Sequence, residues 1–430
     1  MPATGSAEPL RILHVVHQYL PEHVGGTEIY TQSLATALQA RGHDPAIFAR
    51  GSGATEELRD LDWEGVRVLR AEVPESGPQA VLRATLGHPF LEEAFRRALE
   101  IAQPDLVHVH HLMGLPASLP AIARRAGHPV VATLHDYWLL CANAQLLTNY
   151  DRSVCRGPRL WLNCARCAAA RLDRPLLQLG APLIAAVMGW RAHLLRQAIE
   201  SIDRFIAPTA FVRDLYARMG LIDAGRVAHI PHGIDTAGVL SRPAAVADGP
   251  LRVAYLGGIS WQKGVHVLVD AVTGLEPSVA TLKVYGDRTV IPDYGRHLTG
   301  LAAGHPNIEF AGRLSRSEVW QALSQTDVLV VPSLWYETAA LVIQEALAAG
   351  VPVIASRLGA LTERVRDHVD GLLVAPGDPK ALRAALLSLA SDRPSLERLR
   401  AQIRPVVTIE EHIDQILSLY HHLVRASRQR

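Results

Sequence analysis

The chain has 430 residues, 49% hydrophobic and 20% charged, and its 43 basic and 42 acidic side chains leave a formal net charge of +1. That length accommodates about two or three domains with real cores, and the charge balance gives no reason to expect a nucleic-acid partner. The first residues lack a signal peptide's basic start and apolar core, and no uncharged apolar run reaches spanning length, so the expected location is the cytoplasm, with the four cysteines reduced.

Arg11 to His17 reads as the first strand, followed by Gly25-Gly26 and a helix from Thr27 to Arg41 closed by Gly42. A glycine pair before a helix lets backbone approach a phosphate or sugar, although a plain tight turn accounts for it equally well. Strands recur at 45–49, 66–69, 106–110, 130–134 and 205–207 with helical segments between, which is the alternation of an α/β sheet. Asp60-Leu-Asp62 has the spacing of a metal-binding carboxylate pair but lies in a charged stretch before a strand, and reads as solvated loop. His110-His111 and His135-Asp136 each close a strand, at the edge where open α/β sheets bind ligands.

Cys141, Cys155, Cys164 and Cys167 then fall within one loop-like stretch, the last two at C-x2-C spacing. A structural zinc site would stitch such an insertion, of about 141–170, to its domain; buried free thiols and, less readily in this compartment, disulfides are the alternatives. Between Arg171 and Arg196 an apolar run from Pro175 to Trp190 has basic flanks and a terminal Trp that suit contact with anionic lipid. Gly180 and Pro182 spoil a clean amphipathic helix there, which favours core or interdomain packing.

Residues 236–249 read as a linker. Beyond it a strand from Leu251 runs into Gly257-Gly258 and Lys263-Gly264, in the reverse of the order found in an ATPase loop. The apolar run from Asp327 to Pro332 is a buried parallel strand, and a helix follows from near Thr338 to Gly350. Its first amides, at Ala340, Leu341 and Val342, form an anion site flanked by Glu337 and Glu345, carboxylates suited to sugar hydroxyls. Residues 408–426 carry Ile409, Ile413, Ile416, Leu417, Tyr420 and Leu423 at helical spacing.

Glu337, seven residues, Glu345, with Pro-Ser upstream and Glu-Ala-Leu-Ala-Ala-Gly-Val-Pro-Val-Ile-Ala downstream, closely resembles the signature of family 4 retaining glycosyltransferases, which have the GT-B fold. The resemblance implies two Rossmann-like domains facing across a cleft, here residues 1–236 for the acceptor and 250–408 for the nucleotide sugar, with a helix at 409–430 crossing back to the first domain. It implies transfer of a sugar from a nucleotide diphosphate sugar to a hydroxyl of a glycan, lipid-linked or small-molecule acceptor, with no cofactor or catalytic metal. Glu337 would contact the donor sugar, Glu345 the ribose, and the amides of Ala340, Leu341 and Val342, with Gly257, Gly258 and Lys263, the diphosphate. Gly25 and Gly26 resemble the family's first turn, and Arg313 and Leu314 its nucleoside-cradling strand end. The segment Thr-Leu-His135-Asp-Tyr-Trp resembles the one whose histidine approaches the donor sugar.

The sequence departs from this pattern once: Gly258 stands where the family has Arg, and Arg313 is one candidate to supply the charge. A degenerate, binding-only subunit is therefore the alternative, while an epimerase would need an acid and base pair that is not identifiable. The implied setting is polysaccharide or glycoconjugate synthesis in the cytoplasm, with peripheral contact at the inner membrane face also open.

Overall fold

The computed structural model describes residues 8–172, 180–240 and 249–429. The chain divides into two units, Met1–Pro231 with Ile409–Arg430, and His232–Thr408.

The first unit is built on β1 (Arg11–Val16), β2 (Asp44–Ser52), β3 (Glu57–Trp63), β4 (Val66–Val73), β5 (Leu106–Val109), β6 (Val130–Thr133), β7 (Arg204–Ala207) and β8 (Val227–His229). They lie in the order β3-β4-β2-β1-β5-β6-β7-β8, and every neighbouring pair except β3–β4 is parallel. From Ile12 onward β1 is buried throughout, the pattern of a strand covered on both faces. The chain leaves β1 toward one side of the sheet and returns at β5 on the other, so the order reverses between these two strands. That is where an open sheet leaves a crevice at its carboxyl ends.

The segment holding Asp60 and Asp62 is a strand rather than the expected loop. β3 pairs antiparallel with β4, and Asp60 takes both a 3.0 Å and a 3.2 Å hydrogen bond from Arg67 Nε. Nearly every β3 side chain faces water, so its charges decorate a sheet edge and leave no apolar alternation to read.

The second unit has β9 (Leu251–Leu256), β10 (Ala280–Tyr285), β11 (Ile308–Gly312), β12 (Val328–Val331), β13 (Val353–Ser356) and β14 (Gly371–Val374), in the order β11-β10-β9-β12-β13-β14 and all parallel. Its reversal falls between β9 and β12. The loops following these strands therefore meet at one sheet edge, and they carry Gly257 to Gly264 and Ser333 to Ala340.

The first unit also carries two helices of 20 residues each. Ile409–Arg428 lays Ile409, Ile413, Ile416, Tyr420, Leu423 and Val424 against Tyr30, Leu34 and Leu38 of the helix Gly26–Ala40 and against β1 and β5. Leu417 stays at the margin of that cluster. The helix Ala181–Glu200 begins at the two residues expected to spoil it: Gly180 is its N-cap, and Pro182 sits in its first turn, where no N–H is needed. Ala185, Met188, Arg191, Leu195, Ala198 and Ile199 form its buried face, whereas Leu183 and Trp190 are 76% and 52% exposed, so core packing holds for only one face. The rest of the apolar run, residues 175–179, lies outside the described residues, as does 241–248 of the linker.

Ile416 is fully buried among residues from both ends of the sequence. Ile416→Ala should cost about 2–5 kcal/mol in the first unit alone. Chemical denaturation followed by hydrogen exchange should show the protection lost from Gly26–Ala40 and retained in β9 and β12.

Candidate active site

At the edge formed by β9 and β12, Glu337 and Lys263 are held together by backbone geometry. The turn Trp261–Lys263 ends at Gly264, whose φ is +70° and whose Cβ, if it had one, would lie 1.9 Å from the Pro332 carbonyl oxygen. Only glycine permits both that conformation and that approach. Leu334 N donates to Gln262 O at 2.8 Å and ties the two loops. Lys263 Nζ then donates to both Glu337 oxygens, at 2.8 and 3.1 Å, and Ser333 Oγ and Trp335 Nε1 donate to Glu337 Oε1 at 2.6 and 2.9 Å. The ammonium lies 5.3 Å from the Trp335 ring centroid. Glu337 is buried while the Lys263 side chain is 31% exposed, so the pair presents its cation outward.

Tyr255 pins the floor of the turn by donating to Gly258 O at 2.7 Å, and burial, reinforced by the charge of Glu337, pushes its phenol well above its usual range. Gly258 is exposed and has nothing within 4 Å of a Cβ position, so the side chain expected there is replaced by open space. Arg313 does not fill it: it is exposed beside Asp287, whose carboxyl it helps hold low after the Thr289 hydrogen bonds. Leu314 packs into the core under β12 and β13.

The helix after β12 runs Leu341–Ala348, three residues later than expected. Ala340 takes a left-handed conformation, φ 48° and ψ 58°, so the chain turns before the helix begins and the amides of Leu341 and Val342 lead the first turn. An anion placed there meets both those N–H groups and the positive end of the helix dipole. Glu345, inside the helix and buried, is ion-paired with Arg316, a residue the sequence reading passed over. Nothing in the sequence links positions 316 and 345; Arg316 opens the helix Arg316–Ser324, whose Trp320 and Leu323 share a core cluster with Ile343 of Leu341–Ala348, and that packing brings the two side chains together.

In the first unit, β1, β5 and β6 deliver histidines to the equivalent edge. His14 and His108 are register partners within the sheet and His110 lies two residues beyond His108, so all three share one face. His14 Nδ1 lies 2.9 Å from His110 Nε2, and His110 Nδ1 lies 3.1 Å from His135 Nε2. The string runs from a fully buried ring to the partly exposed His135. His108 joins Tyr420 and Thr133 at 2.5 and 2.7 Å. His412 donates Nδ1–H to Pro231 O at 2.7 Å, leaving Nε2 to accept from Tyr30 at 2.8 Å. Desolvation lowers His14 and His135 to about 3 and His412 to about 4, so all three are neutral at pH 7.

Gly25 and Gly26 begin the helix Gly26–Ala40, and a Cβ at Gly25 would lie 2.6 Å from a Glu28 carboxylate oxygen. Glu28 is buried, 3.7 Å from His17 Nδ1, and burial raises its carboxyl above the usual range. His111 accepts from Met113 N at 2.9 Å and so points its other N–H at Asp136, its hydrogen-bond partner. A cavity lined by His110, His111, Thr133, His135, Asp136 and Trp138 opens at this edge. His17 and Glu28 were not singled out in the sequence; a polar residue directly after an apolar strand, and one in the first turn of a helix led by glycines, were the available signals.

Two family profiles match the chain: one described as Glycosyltransferase Family 4 over residues 24–237, and one described as Glycosyl transferases group 1 over residues 250–392. Among curated relatives, a glycogen synthase of Mycobacterium tuberculosis is 28% identical over 93% of this chain and 90% of its own length. A GDP-mannose-dependent alpha-mannosyltransferase of the same organism is 28% identical over 86% and 85%. Among solved structures, sucrose-phosphate synthase from Thermosynechococcus elongatus superposes with a TM-score of 0.69 at 22% identity, covering 96% of this chain and 99% of that one. The Anabaena protein HepE, solved with UDP and glucose, also gives 0.69, at 18% identity over 96% and 100%. These structural likenesses establish a GT-B architecture for the fold.

The buried neutral histidines carry a pH dependence with a definite sign. Between pH 6.5 and about 3 the unfolded chain binds protons at His14, His135 and His412 that the folded chain does not, so stability is full above 6.5 and declines as pH falls through that window. Denaturation midpoints of the first unit should be lower at pH 5 than at pH 7.5. His412→Gln should shrink that difference; equal midpoints at both pH values would contradict the assignment.

Proposed function

Because the chain belongs to the family 4 glycosyltransferases, we propose that it moves a sugar from a nucleotide diphosphate sugar to an acceptor hydroxyl with retention of anomeric configuration. The observation that carries this reading is the Lys263–Glu337 pair set beside the first-turn amides of Leu341–Ala348, at the order reversal of a parallel sheet. Two negative phosphates and a polyol are what such an edge can hold together. The named activities of the mycobacterial relatives and the UDP and glucose in HepE support a nucleotide-sugar donor, and glycogen synthase supports a glycan acceptor.

In this reading the bond between the sugar C1 and the phosphate oxygen breaks as the acceptor oxygen bonds to the same face of C1. The acceptor proton passes to the leaving phosphate. The protein's part is electrostatic: Lys263 and the amides of Leu341 and Val342 take up charge on the departing diphosphate. Glu337 accepts hydrogen bonds from the sugar hydroxyls, and neutral His135 offers a hydrogen-bonding ring at the edge of the first unit. Glu345 receives the ribose diol, which must share that carboxylate with Arg316 or displace it. An intact and buried Glu337, held by three different donors, supports catalysis over a binding-only role despite Gly258.

Peripheral membrane contact belongs to the same proposal. Leu160, Leu162, Leu172, Leu183 and Trp190 are exposed on or beside the helices Leu162–Arg171 and Ala181–Glu200, with Arg159, Arg166, Arg171 and Arg196 exposed among them. Apolar side chains ringed by arginines fit an anionic lipid surface. Among the described residues no helix is long and apolar enough to cross a membrane.

Two measurements test these readings. Lys263→Ala should lower kcat on the order of a hundredfold, whereas Glu345→Ala should chiefly raise the donor KM, because it removes a contact present before and during transfer. If Lys263→Ala and Glu337→Ala both turn over at the wild-type rate, the chemistry lies elsewhere. For the lipid contact, the protein should co-sediment with anionic vesicles at low salt and release as salt rises; indifference to vesicles at every ionic strength would refute it.

A further inference from the structure

Between Thr133 and Leu162 the chain forms neither helix nor strand, only a single antiparallel bridge from Leu147 to Val154. Five non-glycine residues there, Ala144, Leu146, Arg152, Leu160 and Trp161, have φ between 47° and 60°. Such conformations persist only where the surroundings hold them, and here that falls to local turns, Tyr137 N to Ala144 O and Thr148 N to Ser153 O among them, and not to a ladder. It holds two cysteines, Cys141 and Cys155, and two more, Cys164 and Cys167, lie on the helix that follows; all four are free thiols and partly buried.

The cysteines come from three separate places. Cys141 closes a turn by donating its N–H to Tyr137 O at 2.7 Å, and Cys155 follows the bridge and donates to Leu146 O at 2.7 Å. Cys164 and Cys167 sit one turn apart on Leu162–Arg171, hence on one face. Asn163 brings two of them to one side chain, its Nδ2 donating to Cys155 Sγ at 3.8 Å and Cys164 Sγ donating to its Oδ1 at 3.9 Å, and charge on Cys141 would act on both Cys164 and Cys167. Backbone amides already point at two sulfurs: Asn149 N to Cys167 Sγ at 3.2 Å, and Gly157 N to Cys155 Sγ at 3.4 Å. Hydrogen bonds of this kind favour a sulfur that carries negative charge.

A buried cation faces the same group. Arg191 is 5% exposed, donates to Trp138 O at 2.6 Å and stacks 4.7 Å from the Trp138 ring centroid. The side chains that would most stabilise its charge are Cys141 and Cys164, ahead of Asp136. A guanidinium does not discharge, and Asp136, the carboxylate within its reach, is already hydrogen-bonded to His111 and to Trp138 N, so thiolates at Cys141 and Cys164 would add to its stabilisation.

We propose that Cys141, Cys155, Cys164 and Cys167 ligate one structural zinc ion, with Arg191 as the counter-charge to the zinc–thiolate group. Binding releases four protons; four thiolates and one divalent ion sum to a charge of about −2, which Arg191 halves. Among the described residues, the one trio of metal-capable side chains whose ligand atoms lie within 4.8 Å of each other is His14, His108 and His110. Two of those rings are hydrogen-bonded to each other and the third to Tyr420 and Thr133. The four sulfurs are spread more widely, and drawing them in takes rotation about Cα–Cβ bonds, which shifts a sulfur by about 3 Å per rotamer step.

The full chain, purified without chelator or added metal, should contain about one zinc per molecule by elemental analysis. Cys164→Ser should lose it, and cobalt replacing the zinc in the unmutated chain should give an intense sulfur-to-cobalt charge-transfer band, which requires no variant to fold. Folded, reduced protein that holds no zinc and takes up none overturns the proposal. So does zinc that stays bound in Cys164→Ser, or a cobalt derivative without the charge-transfer band, since either places the metal on nitrogen or oxygen ligands.

Discussion

The second unit's site depends on one close approach, that of Gly264 to the Pro332 carbonyl. It lets the turn after β9 lie flat on the loop after β12, and from this follow the Gln262–Leu334 hydrogen bond and the reach of Lys263 to Glu337. The ion pair is thus a product of backbone packing between two strands that are neighbours in space although their starts, Leu251 and Val328, are 77 positions apart and separated by β10, β11 and their helices. A carboxylate gripped by a lysine, a serine and an indole stays oriented without relying on solvent, so little rearrangement is needed when charge develops nearby.

The first unit meets the opposite problem, that of keeping charge out. Its sheet interior holds His14, His108 and His110 where most strands would carry valine or leucine, and hydrogen bonds to each other, to Thr133 and to Tyr420 satisfy most of their nitrogens. His14 Nε2 is the exception, buried and without a hydrogen-bond partner among the described residues. A network so nearly complete favours neutral rings over imidazolium, because each added proton would be an unpaired charge in a low-dielectric interior.

Much of this was legible in the sequence because buried parallel strands are written as apolar runs. β1, β5, β6, β9 and β12 stand out in that way, and the motif from Ser333 to Gly350 marks the edge of the second unit's sheet. β3 was illegible because an exposed edge strand has charges on both faces. The helix start at Leu341 was missed because Ala340 turns left-handed with no glycine to announce it. Arg316 and the histidine string were hidden for a different reason: each is a contact between helices or strands that only the tertiary fold brings together, and local spacing carries no trace of that arrangement.

The last helix has a consequence for how the protein is made. Tyr30, Leu34, Leu38 and the buried histidine rings of the first unit are covered by Ile409–Arg428, a segment synthesised after the whole of the second unit. Domains usually fold in the order in which they leave the ribosome. Here the unit begun first cannot close its core until the other has already been made, so the nascent chain carries an open apolar sheet face through most of its synthesis.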